Sequence, residues 1–318
     1  MKPLSKEKKL SLIGQVLLLL ATIVWGSSFT ILKDTISAVP AFYVLAIRFL
    51  SSGLIIFLIF FKKIIKINRK TLFHGIILGL TVAGAYITQT IGLIYTTPSI
   101  NAFLTAAYVI ITPFLIWLFM KKRPSAFNFI AAVLCMVGIG FIAFAGGVGT
   151  SSNALLGEGL TLVSAIFYAF QILFLCKFQE DRSATVPIIA IELLTTGIVF
   201  VVLTLIFDLP SKGITAFSLN TEQILKILYL TLACTLFAQA AQIIGQKYTP
   251  PTTASVILCL ESVFGAVFSV ILGSEQLSAL LIVGFVIVFI AILLSELNPD
   301  FNKILKRKDK ENNRKKDL

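Results

Sequence analysis

Apolar residues along this chain fall into long blocks, such as LIGQVLLLLATIVWGSSFTIL and FNFIAAVLCMVGIGFIAFAGG, separated by short polar stretches. Each block approaches the roughly 20 residues that a helix needs to cross about 30 Å of hydrocarbon. Ten blocks can be marked, at about residues 11–32, 40–61, 71–93, 98–119, 126–146, 155–176, 184–207, 222–244, 252–273 and 277–296. The pattern predicts an all-α integral membrane protein with ten transmembrane helices. Most connections are too short to hold a soluble domain. What remains is a basic N-terminal segment and a charged tail, FNKILKRKDKENNRKKDL, whose composition predicts disorder near the membrane surface. Because blocks recur to the end of the sequence, a cleaved secretory leader is not expected.

Composition agrees with the pattern. Of 318 residues, 57% are apolar and 13% charged, against about half and about a quarter in soluble proteins. The charges that remain are distributed unevenly. With both termini on the inner side, all of the 27 Lys and Arg except Lys33, Arg48, Lys212 and Lys226 fall on inner loops and ends. The positive-inside rule then predicts cytoplasmic termini in the cell membrane. The net charge of +12 is thereby read as topology, and no nucleic-acid partner is expected.

The chain writes one decapeptide twice. QTIGLIYTTP, Gln89 to Pro98, returns as QIIGQKYTPP, Gln242 to Pro251. At the same register Ser125 and Ala126 fall on Ser278 and Ala279; at registers shifted by a longer loop in the second half, AIRFLSSG at Ala46 to Gly53 matches AIELLTTG at Ala190 to Gly197 and Gly14 matches Gly157. The chain therefore divides into a first five-helix repeat at 1–150, a second at 151–297 and a cytoplasmic tail at 298–318. Five is odd, so the second repeat crosses the membrane in the opposite sense. KKR at Lys121 to Arg123 corresponds to SEQ at Ser274 to Gln276, a basic inner end matched with an acidic outer one. Inverted repeats of this kind open a central site alternately to the two sides.

WGSSF at Trp25 to Phe29, Pro40 followed by Arg48, the Gln-x-x-Gly-x-x-Tyr-Thr junctions, and LESVFGAVFSVILGSEQLS at Leu260 to Ser278 resemble the EamA type of the drug/metabolite transporter superfamily. The resemblance covers all ten predicted spans. It implies a carrier of small metabolites, amino acids or drugs, usually exported in bacteria. One departure is visible. The family's Gly-Glu pair after the ninth span is here GSEQ, with Glu275 one position late, and the matching place in the first half is Lys-Lys.

Ionisable side chains inside spans are costly unless they face protein or water, which makes them functional candidates. Arg48 and Glu192 occupy equivalent positions in the second and seventh spans, and Glu261 lies about 14 Å into the ninth, near the midplane. Arg48 suits either an anionic substrate group or the capping of backbone carbonyls. A salt bridge to Glu192 requires the bundle to thin between them. Glu192 is open to a packing role or a functional one. Glu261, whose counterpart is Tyr108, suits a substrate amine or a coupling proton, with hydrogen bonding across helices as the alternative.

Around these, Trp25, Phe29, Tyr86, Gln89, Asn101, Tyr168, Gln171, Gln239 and Gln242 are the expected cavity residues. Asn101 and Thr105 share a helix face that also suits polar adhesion between helices. Pro113 is expected to kink the fourth span. His74 reads as interfacial. Cys135, Cys176, Cys234 and Cys259 stand singly in apolar blocks and read as small hydrophobes.

The expected function is a secondary active transporter, driven by protons or exchange, for amino acids or related amphipathic compounds. A multidrug or lipophilic-cation carrier is the alternative. A membrane-embedded enzyme would need acid clusters or His-rich metal sites, and a channel a filter motif; neither pattern is present in the sequence. No GxxxxGK[ST] motif for ATP occurs. No cofactor, metal or catalytic residue is expected, and the chain is expected as a monomer or homodimer.

Overall fold

A computed structural model describes residues 6–121, 123–145, 153–178, 184–213, 217–272 and 278–296. The GSEQ stretch with Glu275, Lys122, Arg182 and the tail lie outside the described residues. Regular structure among the described residues is helical. We number the spans α1 (Lys6–Ala38), α2 (Ala41–Ile59), α3 (Arg69–Tyr95), α4 (Pro98–Met120), α5 (Ala126–Ala145), α6 (Ala154–Phe178), α7 (Thr185–Ser211), α8 (Thr221–Gln246), α9 (Pro251–Ile271) and α10 (Ala279–Glu296). Eight of these have the length and apolar composition to cross a membrane, and α5 and α10 hold shorter apolar segments. Exposed Leu58, Phe73, Leu118, Phe144 and Phe289 give the bundle the apolar outer surface that lipid requires.

The packing repeats with the sequence. α2 packs on α7 and α5 on α10, each helix meeting its own counterpart. α1 packs on α8 and α9, as α6 packs on α3 and α4. The repeated decapeptides sit at two of these crossings. Gly245 lies against Gly14, where a Cβ on Gly14 would stand 2.8 Å from the Gly245 carbonyl oxygen. Gly92 lies against Gly157, where a Cβ on Gly92 would stand 2.7 Å from the Gly157 carbonyl oxygen. In each decapeptide, then, the glycine lets one repeat approach the first helix of the other at backbone distance, the small-residue contact that substitutes for hydrophobic driving force in lipid.

Two helices are interrupted at matching places. α4 breaks at Ala106 and Ala107 and α9 at Cys259, two residues before Glu261. At both breaks the backbone tightens to bonds three residues apart, Val109 N–H to the Ala106 carbonyl at 3.0 Å and Ser262 N–H to the Cys259 carbonyl at 3.1 Å. Pro113 lies inside the second segment of α4. The expected proline kink is therefore not the break, which precedes it and has a counterpart in α9 where no proline follows.

α8 carries a different distortion, a π-helical stretch at Leu230–Phe237. Widened turns of this type free backbone groups for other partners. Here the Cys234 carbonyl accepts from Trp25 Nε1 at 2.7 Å, which ties α8 to α1.

Candidate functional site

Between the two repeats runs a narrow crevice with a cavity volume of about 30 Å3. Trp25 and Phe29 reach it from α1, Tyr86 and Gln89 from α3, and Asn101 and Tyr108 from α4. Tyr168 comes from α6, Gln242 from α8 and Glu261 from α9. Glu261 is the one charged residue among those lining the space, and it follows the α9 break as Tyr108 follows the α4 break. The buried Tyr108 hydroxyl lies beside the Glu261 carboxyl group. Tyr168 stands edge-on to Tyr86 and to Tyr108, with ring centroids 6.0 and 6.3 Å apart. A carboxylate thus sits among five aromatic rings, and aromatic faces attract cations.

Amides and hydroxyls fix the walls. Tyr168 Oη donates to Gln89 Oε1 at 2.9 Å, and Gln89 Nε2 donates to Thr105 Oγ1 at 3.0 Å. Asn101 Nδ2 donates to the Gln89 carbonyl at 3.1 Å and to Thr161 Oγ1 at 2.8 Å. These bonds join α3, α4 and α6, so Asn101 and Thr105 do serve as polar adhesive. Across the space, Gln242 and Gln171 exchange amide contacts at 3.4 Å. Gln171 Nε2 also donates to Glu192 Oε1 at 3.1 Å, and Gln239 Nε2 donates to the same oxygen at 2.6 Å. A polar chain therefore runs from the cavity wall at Gln242 to the fully buried Glu192, whose second oxygen has no partner among the described residues.

Both halves of the sequence match the EamA-like transporter family, over residues 12–144 and 155–297. The chain belongs to that family. Two proteins of Archaeoglobus fulgidus, each named only as an uncharacterized transporter, resemble this EamA protein. One is 27% identical over 280 residues, covering 88% of this chain and 84% of its own; the other is 24% identical over 293 residues, covering 88% and 96%. A solved crystal structure shares the fold at 17% identity with a TM-score of 0.73, covering 91% of this chain and 97% of that one.

Of the thirteen expected site residues, four stand outside the cavity lining of this EamA protein. Gln171 and Gln239 turn to Glu192, and Arg48 lies against the Tyr86 ring, its Cζ 5.6 Å from the centroid. Among the described residues Arg48 caps no carbonyl. Its Nε donates to Thr235 Oγ1 at 3.0 Å, and the other two guanidinium nitrogens have no partner among the described residues. No ion pair joins Arg48 to Glu192 among the described residues: each has neutral partners, Arg48 the Tyr86 ring of its own repeat besides Thr235 of the other, and Glu192 the Gln239 amide of its own repeat. The Tyr86 and Gln239 contacts occupy matching positions in the duplication.

Ser28, Leu32, Leu93, Ile172 and Leu258 also line the space and were not expected. Ser28 lies inside the WGSSF motif and Ile172 matches Phe29 in the repeat, so symmetry pointed to both; the leucines have no such marker. His74 stacks on Phe178 at the Lys-rich end of the bundle, with centroids 3.9 Å apart. Cys135, Cys234 and Cys259 are buried free thiols, and two of them are close in space, with Cys135 Sγ 2.8 Å from Cys259 Sγ. Among the described residues no cluster of metal-binding side chains occurs.

Proposed function

We propose that this EamA-family transporter is a secondary carrier of small amphipathic compounds bearing a protonated amine, amino acids and their relatives among them. Glu261 carries the reading: one carboxylate, ringed by Trp25, Phe29, Tyr86, Tyr108 and Tyr168. The carboxylate offers a counter-charge to the amine, and the rings offer cation–π faces and an apolar wall. A substrate carboxylate would meet only neutral donors, such as Gln89 and Tyr108, since Arg48 lies outside the lining. That favours the lipophilic-cation end of the class over zwitterions.

Transport proceeds by alternating access between the repeats, with Glu261 holding a proton or the substrate amine but not both. Such exclusion exchanges protons for substrate and supports export of substrate driven by protons entering down their gradient. The concentration of Lys and Arg at the end of the bundle that holds the N-terminus supports cytoplasmic termini in the cell membrane.

The test is flux in proteoliposomes. Uptake of an aromatic amine driven by a pH gradient is expected in the native protein and lost in Glu261→Gln, with the variant retaining its melting behaviour. Undiminished gradient-driven transport by Glu261→Gln would remove the carboxylate from this role, and conductance far above carrier turnover would make the protein a channel.

A further inference from the structure

At the Lys-rich end of the bundle, on the side of His74 and distinct from the central crevice, an open basin with a cavity volume of about 850 Å3 lies between the two repeats. Lys62, Lys63 and Lys66 reach it from the connection after α2, and Lys247 from the end of α8. Two helix starts also border it. Asn68 and Thr71 begin α3, with Asn68 Oδ1 accepting from the Thr71 N–H at 2.7 Å, and Thr185 begins α7, whose preceding residue Ala184 provides no side-chain cap.

Lys247 is already engaged, donating to Thr185 Oγ1 at 2.7 Å. Lys62, Lys63 and Lys66 make no ion pair among the described residues, whose salt bridges all belong to Lys226 at the opposite end. The basin thus remains cationic.

The lysines are interleaved with apolar side chains that face outward. In the stretch from Ile59 to Lys66, Ile59, Phe61 and Ile65 are exposed between and beside the lysines. A soluble phosphate needs the charges alone; an apron of exposed Ile and Phe beside them matches a molecule with acyl chains below its charge. We propose that this basin binds the phosphate head group of an anionic phospholipid in the adjoining leaflet, bridging the first repeat through Lys62, Lys63 and Lys66 and the second through Lys247. Basic pockets between spans on the cytoplasmic side are suited to such head groups.

The proposal is tested on the purified full-length protein in neutral detergent, by native mass spectrometry and thermal shift. The probes are phosphatidylglycerol, phosphatidylcholine with the same chains, and inorganic phosphate. Phosphatidylglycerol is expected to be retained and to raise Tm where phosphatidylcholine does not. Each lysine contributes about fivefold, so Lys62, Lys63 and Lys66 changed together to Gln lose on the order of a hundredfold in affinity. The corresponding triple Arg variant keeps it, and Lys226→Gln at the opposite end is without effect. If the triple Gln variant inserts poorly, the single Lys63→Gln and Lys66→Gln variants decide by their fivefold losses. Equal binding of phosphatidylcholine, or unchanged affinity in the Gln variants, overturns the proposal. Equal protection by inorganic phosphate overturns it in favour of a soluble phosphorylated ligand.

Discussion

Adding one methyl group at Gly157 tests the crossing that the repeated decapeptide builds. A Cβ there would stand 2.7 Å from Tyr95 Cβ, 2.9 Å from Thr96 Cγ2 and 3.0 Å from the Gly92 carbonyl oxygen. None of these atoms is the free end of a flexible side chain. Thr96 is held further, its hydroxyl on the Gly92 carbonyl at 2.9 Å and its own carbonyl accepting from Lys33 Nζ at 3.0 Å. Overpacking of this kind costs about 1–3 kcal/mol. Alanine also gains roughly 1 kcal/mol of helix propensity over glycine, and Gly159, two residues along on α6, isolates that gain because a Cβ there meets nothing within 4 Å. The two variants should therefore differ in unfolding free energy by about 1–3 kcal/mol, with Gly157→Ala the weaker. Cys135, Cys234 and Cys259 are fully buried, so a thiol-reactive fluorophore reports unfolding of the purified protein directly. Gly157→Ala should melt several degrees below Gly159→Ala. If it melts at or above that variant, the close approach of α3 and α6 is wrong.

Trp25→Phe leaves the Cys234 carbonyl without its indole donor and should cost about 1–3 kcal/mol in a melting series, an effect that Trp117→Phe on the exposed surface should not share. Arg48→Met replaces a buried, largely unpartnered guanidinium with an apolar chain of similar volume, so stability should hold or rise by up to about 4 kcal/mol; a collapse in Tm would refute the present placement of Arg48. Glu192→Gln should melt near the native protein while Glu192→Leu, which strands the amides of Gln171 and Gln239, should lose about 1–3 kcal/mol. Equal melting of the two Glu192 variants would show that the amides have other partners.

The spans and the duplication were legible because hydrocarbon thickness imposes block length and because both copies keep the glycines of the close crossings. The ends were less so. Hydropathy stops α1 near residue 32, yet the helix runs to Ala38. Its polar end is satisfied by contacts no local pattern reveals: Lys33 donates to the Leu93, Ile94 and Thr96 carbonyls, and Asp34 accepts from Lys226. Glu261 and Tyr108 were legible through the general cost of a buried charge and through the repeat. Arg48 satisfied the same rule and proved to lie behind Tyr86, since the rule reports that a charge is buried but not which surface it faces. Gln171 and Gln239 were expected on the cavity and serve Glu192, one helix further out. The breaks in α4 and α9 had no legible marker, because Ala106 and Cys259 are ordinary helix residues.

The matched breaks also settle a matter of parity. Two identical subunits related by a twofold axis must place an even number of carboxylates about it, none or two. By joining the repeats in one chain, this protein puts a phenol at Tyr108 and a carboxyl group at Glu261 on equivalent, interrupted helices, and so carries a single acidic group at a pseudosymmetric centre. In the carrier proposed above, a bound amine would have a head and a tail: its charged end would stay with Glu261 of the second repeat while the first repeat moves past its neutral end.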